Sequence, residues 1–107
     1  MRIDCALIDD DPIIRLSWEI IAGKHKKCLR TFESPEAFFS QSSEIDLSTP
    51  VYVDYHLGGG MNGVDVARRL IAHGFVDVQL ATGDLDLPIH SEGIRVVGKN
   101  PPWLDVY

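Results

Sequence analysis

Short apolar runs alternate with helical patterns along most of this 107-residue chain, and no other feature constrains its fold as much. Residues 3–8 (IDCALI) read as a buried strand, ended by three consecutive acids and Pro12. Residues 12–24 place Ile13, Ile14, Leu16, Ile20 and Ile21 at roughly helical spacing, with Trp18 and Ala22 between them. Pro12 suits a first helical turn, and Gly23 lies near the expected stop. CLRTF (28–32) alternates as a second strand. Ser34-Pro35-Glu36 then supplies a cap residue, a first-turn proline and a first-turn acid for a short helix carrying Ala37, Phe38 and Phe39. VYVD (51–54) is a third strand, VDVARRLIA (64–72) an amphipathic helix stopped by Gly74, and VDVQLA (76–81) and IRVV (94–97) are two further strands. Strands joined by helices require right-handed crossovers, so the expected class is α/β with a parallel sheet.

The pattern weakens near the end. DLDLPIHSEG (84–93) has Pro88 in its middle and room for one helical turn at most. NPPWLDVY (100–107) is too short and too rich in proline for a full last helix. The expectation is therefore a single domain over residues 1–107 whose fourth helix is shortened and whose fifth is absent or truncated. Part of one sheet face would then lack its usual cover. Trp103, Leu104, Val106 and Tyr107 would fold back over it or pair with a second chain, making the 84–107 region the place for a homodimer contact.

VYVDYHLGGG (51–60) raises the functional question, because an apolar strand ends on a carboxylate at the mouth of a glycine loop. Strand interiors disfavour Asp. In open parallel sheets, ligands bind outside the carboxyl ends of the strands. Those ends collect Asp9, Asp10 and Asp11, then Asp54, then Thr82, then Lys99. Clustered carboxylates repel unless a cation intervenes, and a hard divalent ion such as Mg²⁺ takes oxygen ligands of this kind. Beside it, Asp54 can attack phosphorus and form an aspartyl phosphate, while Lys99 neutralises phosphoryl charge and Thr82 donates a hydrogen bond.

Charge and composition exclude other classes. Sixteen acids against ten bases give a net charge of −6, which argues against nucleic-acid binding. The one basic cluster, Lys24 to Lys27, falls at a helix end, where it complements the dipole. No apolar run approaches the ~20 residues of a membrane span, and the chain reads straight into a strand without a signal peptide, so the expected location is cytoplasmic. Cys5 and Cys28 sit inside apolar runs and are expected as buried free thiols. Asp11 reads as a helix-start acid, Trp18 as core, and His25, His73 and His90 as surface residues.

IDDDP (8–12), VDYHL (53–57), ATG (81–83) and VGKNPP (97–102), each at a strand end and in this order, resemble the receiver domain of bacterial two-component response regulators. DYHLGGGMNG resembles the form seen in receiver modules of hybrid sensor kinases. The resemblance covers nearly the whole chain. It implies a flavodoxin-like five-stranded sheet in the order 2-1-3-4-5. It also implies Asp54 as phosphoacceptor and Asp9, Asp10, Asp54 and the His56 backbone carbonyl as Mg²⁺ ligands. Thr82 and Lys99 become the switch hydroxyl and the phosphate-pairing lysine. The partner implied is a sensor histidine kinase or phosphotransfer domain carrying a phosphohistidine.

The chain departs from the family pattern in three places. Asn100 separates Lys99 from proline, which makes Asn100-Pro101 the nearest candidate for the family's cis bond. Val96 stands where an aromatic switch residue is usual, and the last helices are cut down. Two rival functions follow. One is a pseudo-receiver that binds proteins with its phosphorylation uncoupled. The other is a Mg²⁺-dependent phosphohydrolase, which would need a general acid where His56 stands and a cap domain.

Overall fold

The computed structural model describes residues 3–58, 62–83, 90–91 and 94–103. Strands β1 (Cys5–Ile8), β2 (Leu29–Phe32), β3 (Val51–Asp54), β4 (Val78–Thr82) and β6 (Ile94–Gly98) form one parallel sheet. Their spatial order is β2-β1-β3-β4-β6, the flavodoxin-like arrangement, with β5 (His90–Ser91) added antiparallel at the β6 edge. Among the described residues the α-helices are α1 (Pro12–Lys24), α2 (Pro35–Ser40) and α3 (Gly63–His73).

Alternation along the strands divides the core between two faces. Ala6, Ile8, Val51, Val53 and Leu80 pack with Phe38 of α2 and with Val66, Ala67 and Leu70 of α3. Phe38 anchors that layer edge-on against Phe32 and Phe75. Cys5, Leu7 and Tyr52 point the other way and meet Trp18 of α1, whose ring lies edge-on to Tyr52. Val97 and Trp103 pack against this smaller cluster. Trp103 thus takes the first of the two courses open to it, folding back against the sheet, while residues 104–107 lie outside the described residues. So do 84–89 and 92–93, where the shortened fourth helix was expected.

The helix ends follow their local chemistry. Asp11, Ser34 and Asn62 cap α1, α2 and α3 by accepting from the backbone N–H groups of Ile13, Ala37 and Val64. α1 runs past Gly23 to Lys24 and closes with Lys26 in the left-handed region, φ 55°. There Lys27 N donates to the Ala22 carbonyl and Lys26 N to that of Gly23, the paired bonds of a Schellman end. α3 ends the same way on Gly74, φ 113°.

Three expectations need correction. The apolar residues of α1 make two stripes rather than one. Ile14, Trp18 and Ala22 follow the 3.6-residue repeat into the protein, whereas Ile13, Leu16 and Ile20 lie 74%, 55% and 52% exposed. Cys28 is only half-buried, because it precedes β2 and is held through its backbone N–H by the Asp4 carboxylate; both cysteines are free thiols. The Asn100–Pro101 bond is trans, as no peptide bond among the described residues is cis, and trans is the lower-energy form for X–Pro.

Candidate functional site at the carboxyl rim of the sheet

β1 and β3 lie side by side, so their ends place Asp9 and Asp54 next to each other. Both are buried, 0% and 2% exposed. β4 flanks β3 with Asp54 opposite Ala81, which puts Thr82 one step further along the same rim. Thr82 in turn pairs with Gly98, the residue before Lys99.

Lys99 reaches back into the cluster. Its Nζ lies 3.2 Å from Asp9 Oδ2 and 3.0 Å from Asp54 Oδ1, so one ammonium bridges two buried carboxylates. Asp10 is exposed beside them. Carboxylate oxygens of Asp9, Asp10 and Asp54 all lie within 4.8 Å of one another. Three hard oxygen donors at that separation fit an octahedral dication that keeps some of its waters.

Each carboxylate is also fixed by backbone donors. Asp11 N donates to Asp9 Oδ1 at 2.9 Å, His56 N to Asp54 Oδ1 at 3.2 Å, and Gly58 N to Asp10 Oδ2 at 3.0 Å. Burial pushes the Asp54 carboxyl above its ordinary 3.8; the Lys99 hydrogen bond pulls it down and the Asp9 charge pushes it up further. Burial alone would lower Lys99, but the Asp54 and Asp9 carboxylates outweigh it and hold the ammonium above its ordinary 10.5.

The loop after β3 fits around this site. His56 pairs with Asn62 in an isolated antiparallel bridge, with its side chain exposed. Gly63 N donates to the Tyr55 carbonyl at 3.0 Å, bringing the start of α3 against the chain that carries Asp54. A Cβ on Gly63 would stand 2.2 Å from the Asp54 carbonyl oxygen. No other residue type fits there without moving α3 or the backbone of Asp54 and Tyr55.

The structure thus brings Asp9, Asp10, Asp54 and Lys99 into one cluster, with Thr82 and His56 on adjoining rim positions. Two further contacts carry no sequence signal. Arg15 Nη1 donates to the Asp9 carbonyl at 2.8 Å, and Trp18 Nε1 to the Lys99 carbonyl at 3.1 Å. Helical spacing identifies Arg15 and Trp18 as neighbours on α1, but not their distant partners.

No family model matches the sequence, and no curated protein matches it. Solved structures do match. The N-terminal domain of a response regulator/sensory box/GGDEF three-domain protein from Carboxydothermus hydrogenoformans is 20% identical with a TM-score of 0.70, over 88% of this chain and 77% of that one. FixJ-N is 20% identical with a TM-score of 0.75, over 98% of this chain and 86% of that one. SdrG from Pseudomonas melonis Fr1, in its BeF3-activated conformation, is 21% identical with a TM-score of 0.71, over 94% of this chain and 87% of that one. Among the described residues, no helix is long and apolar enough to cross a membrane. The parallel sheet order, the three helices and these neighbours together give the chain the fold of response-regulator receiver domains.

Proposed function

We propose that the chain is a phosphoacceptor receiver domain of a two-component phosphorelay, taking a phosphoryl group onto Asp54 from a phosphohistidine on a sensor histidine kinase or phosphotransfer domain. The observation that carries this reading is the Lys99 ammonium bridging Asp9 and Asp54 with Asp10 alongside. An Asp54 carboxylate oxygen attacks phosphorus. The P–N bond to the donor imidazole breaks, its electron pair stays on nitrogen, and a P–O bond to Asp54 forms. Lys99 then pairs with a phosphoryl oxygen and Thr82 hydrogen-bonds another. Asp9, Asp10, Asp54 and the His56 carbonyl would hold Mg²⁺, which when bound neutralises charge on the transferring group. The domain catalyses at most its own phosphorylation and dephosphorylation and signals through protein contacts.

The exposed stripe of Ile13, Leu16 and Ile20 begins two residues after Asp11, beside the acid cluster. Apolar area placed at the mouth of a charged site suits a helical donor that must present its histidine there. Self-association through 84–107 belongs to the same proposal, supported by the apolar Trp103, which lies in that region and packs against the smaller core cluster. Light scattering that shows a monomer at high concentration would remove that part.

One observation favours a pseudo-receiver instead. Val96 is half-buried against the larger core cluster, so β6 offers no aromatic ring there to swing with Thr82. Incubation with Mg²⁺ and acetyl phosphate, read by intact mass, tests the main reading: a labile adduct is expected, absent in Asp54→Asn. An adduct that forms without any spectral change beyond the rim would mark the pseudo-receiver. Absence of any adduct would defeat both the transfer chemistry and the assignment of Asp54.

A further inference from the structure

We infer that Trp18 is a positioning residue for Lys99, fixing through the main chain the root of the side chain that bridges the two buried carboxylates. Trp18 is 1% exposed, in the middle of α1, and its indole N–H donates to the Lys99 carbonyl at 3.1 Å across 81 positions of sequence. Core filling alone does not require this bond, since an apolar side chain of similar size would serve the packing. A buried indole N–H needs a partner, and here the partner is the backbone of the one lysine at the rim.

Lys99 needs such an anchor. β6 ends at Gly98, and Lys99 and Asn100 form a bend without ladder pairing. Space beside Gly98 is open, with nothing within 4 Å of an added Cβ. A four-carbon stem rooted in a loose bend would not hold its ammonium within 3.2 Å of Asp9 and 3.0 Å of Asp54. Val97, the last partly buried residue of β6 before Lys99, packs against the same Trp18 cluster, so the chain is held both at the strand end and at the Lys99 carbonyl. One turn earlier on α1, Arg15 Nη1 donates to the Asp9 carbonyl at 2.8 Å. A single helix therefore adds a main-chain support to each of Asp9 and Lys99, beside the bond of Asp9 N to the Phe32 carbonyl of β2.

The test compares Trp18→Phe with Trp103→Phe in the full chain. Trp103→Phe removes a neighbouring indole from the same cluster without touching the bond to Lys99. The first readout is the ¹H–¹⁵N signal of the Lys99 ammonium without metal or phosphodonor. Trp18→Phe is expected to broaden or average it, and Trp103→Phe to leave it in place. The second readout, which rests on the proposed phosphoacceptor function, is labelling by acetyl phosphate with Mg²⁺. There Trp18→Phe is expected to lower the saturating rate about tenfold with half-saturation unchanged, as for a misplaced group in a preorganised site. An unchanged ammonium signal in Trp18→Phe, or equal effects of the two substitutions, would overturn the inference. If the unaltered chain takes up no phosphoryl group, the function fails while the ammonium signal still decides the positioning claim. If Trp18→Phe does not fold, hydrogen exchange decides: the Trp18 indole proton should exchange only at the pace of global unfolding, and faster exchange overturns the inference.

Discussion

A single methyl group added at two glycines should change stability in opposite directions. At Gly63 the new Cβ would lie 2.2 Å from the Asp54 carbonyl oxygen, 2.8 Å from Tyr55 Cα and 3.0 Å from the Asp54 carbonyl carbon. Comfortable carbon contacts begin near about 3.5 Å, so α3 or the Asp54 backbone must retreat by roughly 1 Å. All three obstructing atoms are main chain, with no flexible tip to give way. Overpacking of this kind costs about 1–3 kcal/mol, and a purely backbone clash belongs at the upper end. Replacing Gly at the start of a helix returns at most about 1 kcal/mol. The net expectation for Gly63→Ala is a loss of about 2 kcal/mol, or a fall in Tm of about 10 °C for a domain of this size. At Gly23, exposed on α1 with nothing within 4 Å, only the propensity gain remains. Gly23→Ala should therefore raise stability by about 0.5–1 kcal/mol. Urea denaturation of the two variants beside the parent chain measures both values. A Gly63→Ala protein as stable as its parent would refute the close approach of α3 to the Asp54 backbone, and with it the claim that this glycine sets the position of the acid.

Lys26 pays for a left-handed φ of 55° at the end of α1, so Lys26→Gly should stabilise the protein by about 0.5–1 kcal/mol in thermal or urea melts. Alkaline pH should destabilise the fold. Burial first, then the Asp77 and Asp4 charges, push the Cys5 thiol from 9.0 up to about 12, and burial, Cys5 and Asp77 push Tyr52 from 10.0 up to about 12. Lys99 is raised as well. In each case the folded state holds its proton more tightly than the unfolded chain, so stability is full below the ordinary value and falls as pH climbs past 9.0 towards about 12. Stability against pH by chemical denaturation, with native-state thiol labelling of Cys5 expected to be negligible, checks this. Ile13→Glu, Leu16→Glu and Ile20→Glu should each stay within about 0.5 kcal/mol of the parent, because these positions are exposed. They should weaken uptake from a phosphohistidine-bearing protein donor while labelling from acetyl phosphate is unchanged.

How much of this was legible in the sequence depended on how local its cause was. The strands at 51–54 and 94–97 and the caps at Asp11 and Ser34 are set by adjacent residues, and they stand where the pattern put them, β6 running one residue further. The rim residues could be collected because topology alone brings the strand ends together; Asp9 and Asp54 lie on neighbouring strands whatever the loops do. The missed features are those that periodicity cannot resolve. Five apolar positions on α1 look like one stripe until the helix is rotated onto its sheet, and then Trp18 turns in while Ile13, Leu16 and Ile20 turn out. The end of α1 at Lys24 stands where the pattern put it, but the left-handed Lys26 that closes it was hidden because no glycine marks it. The bond from Trp18 to Lys99 has no signature at all in a sequence where the two lie 81 positions apart. β5 was equally hidden, since only two residues form it, paired to β6.

The most direct measurement is reductive mapping of the acceptor. After incubation with Mg²⁺ and acetyl phosphate, borohydride converts an aspartyl phosphate to homoserine, and peptide sequencing by mass locates it. The account predicts homoserine at position 54, abolished when Mg²⁺ is chelated and strongly reduced in Lys99→Ala. Phosphate found on another residue, or homoserine at position 54 formed equally well without Mg²⁺ and without Lys99, would contradict it.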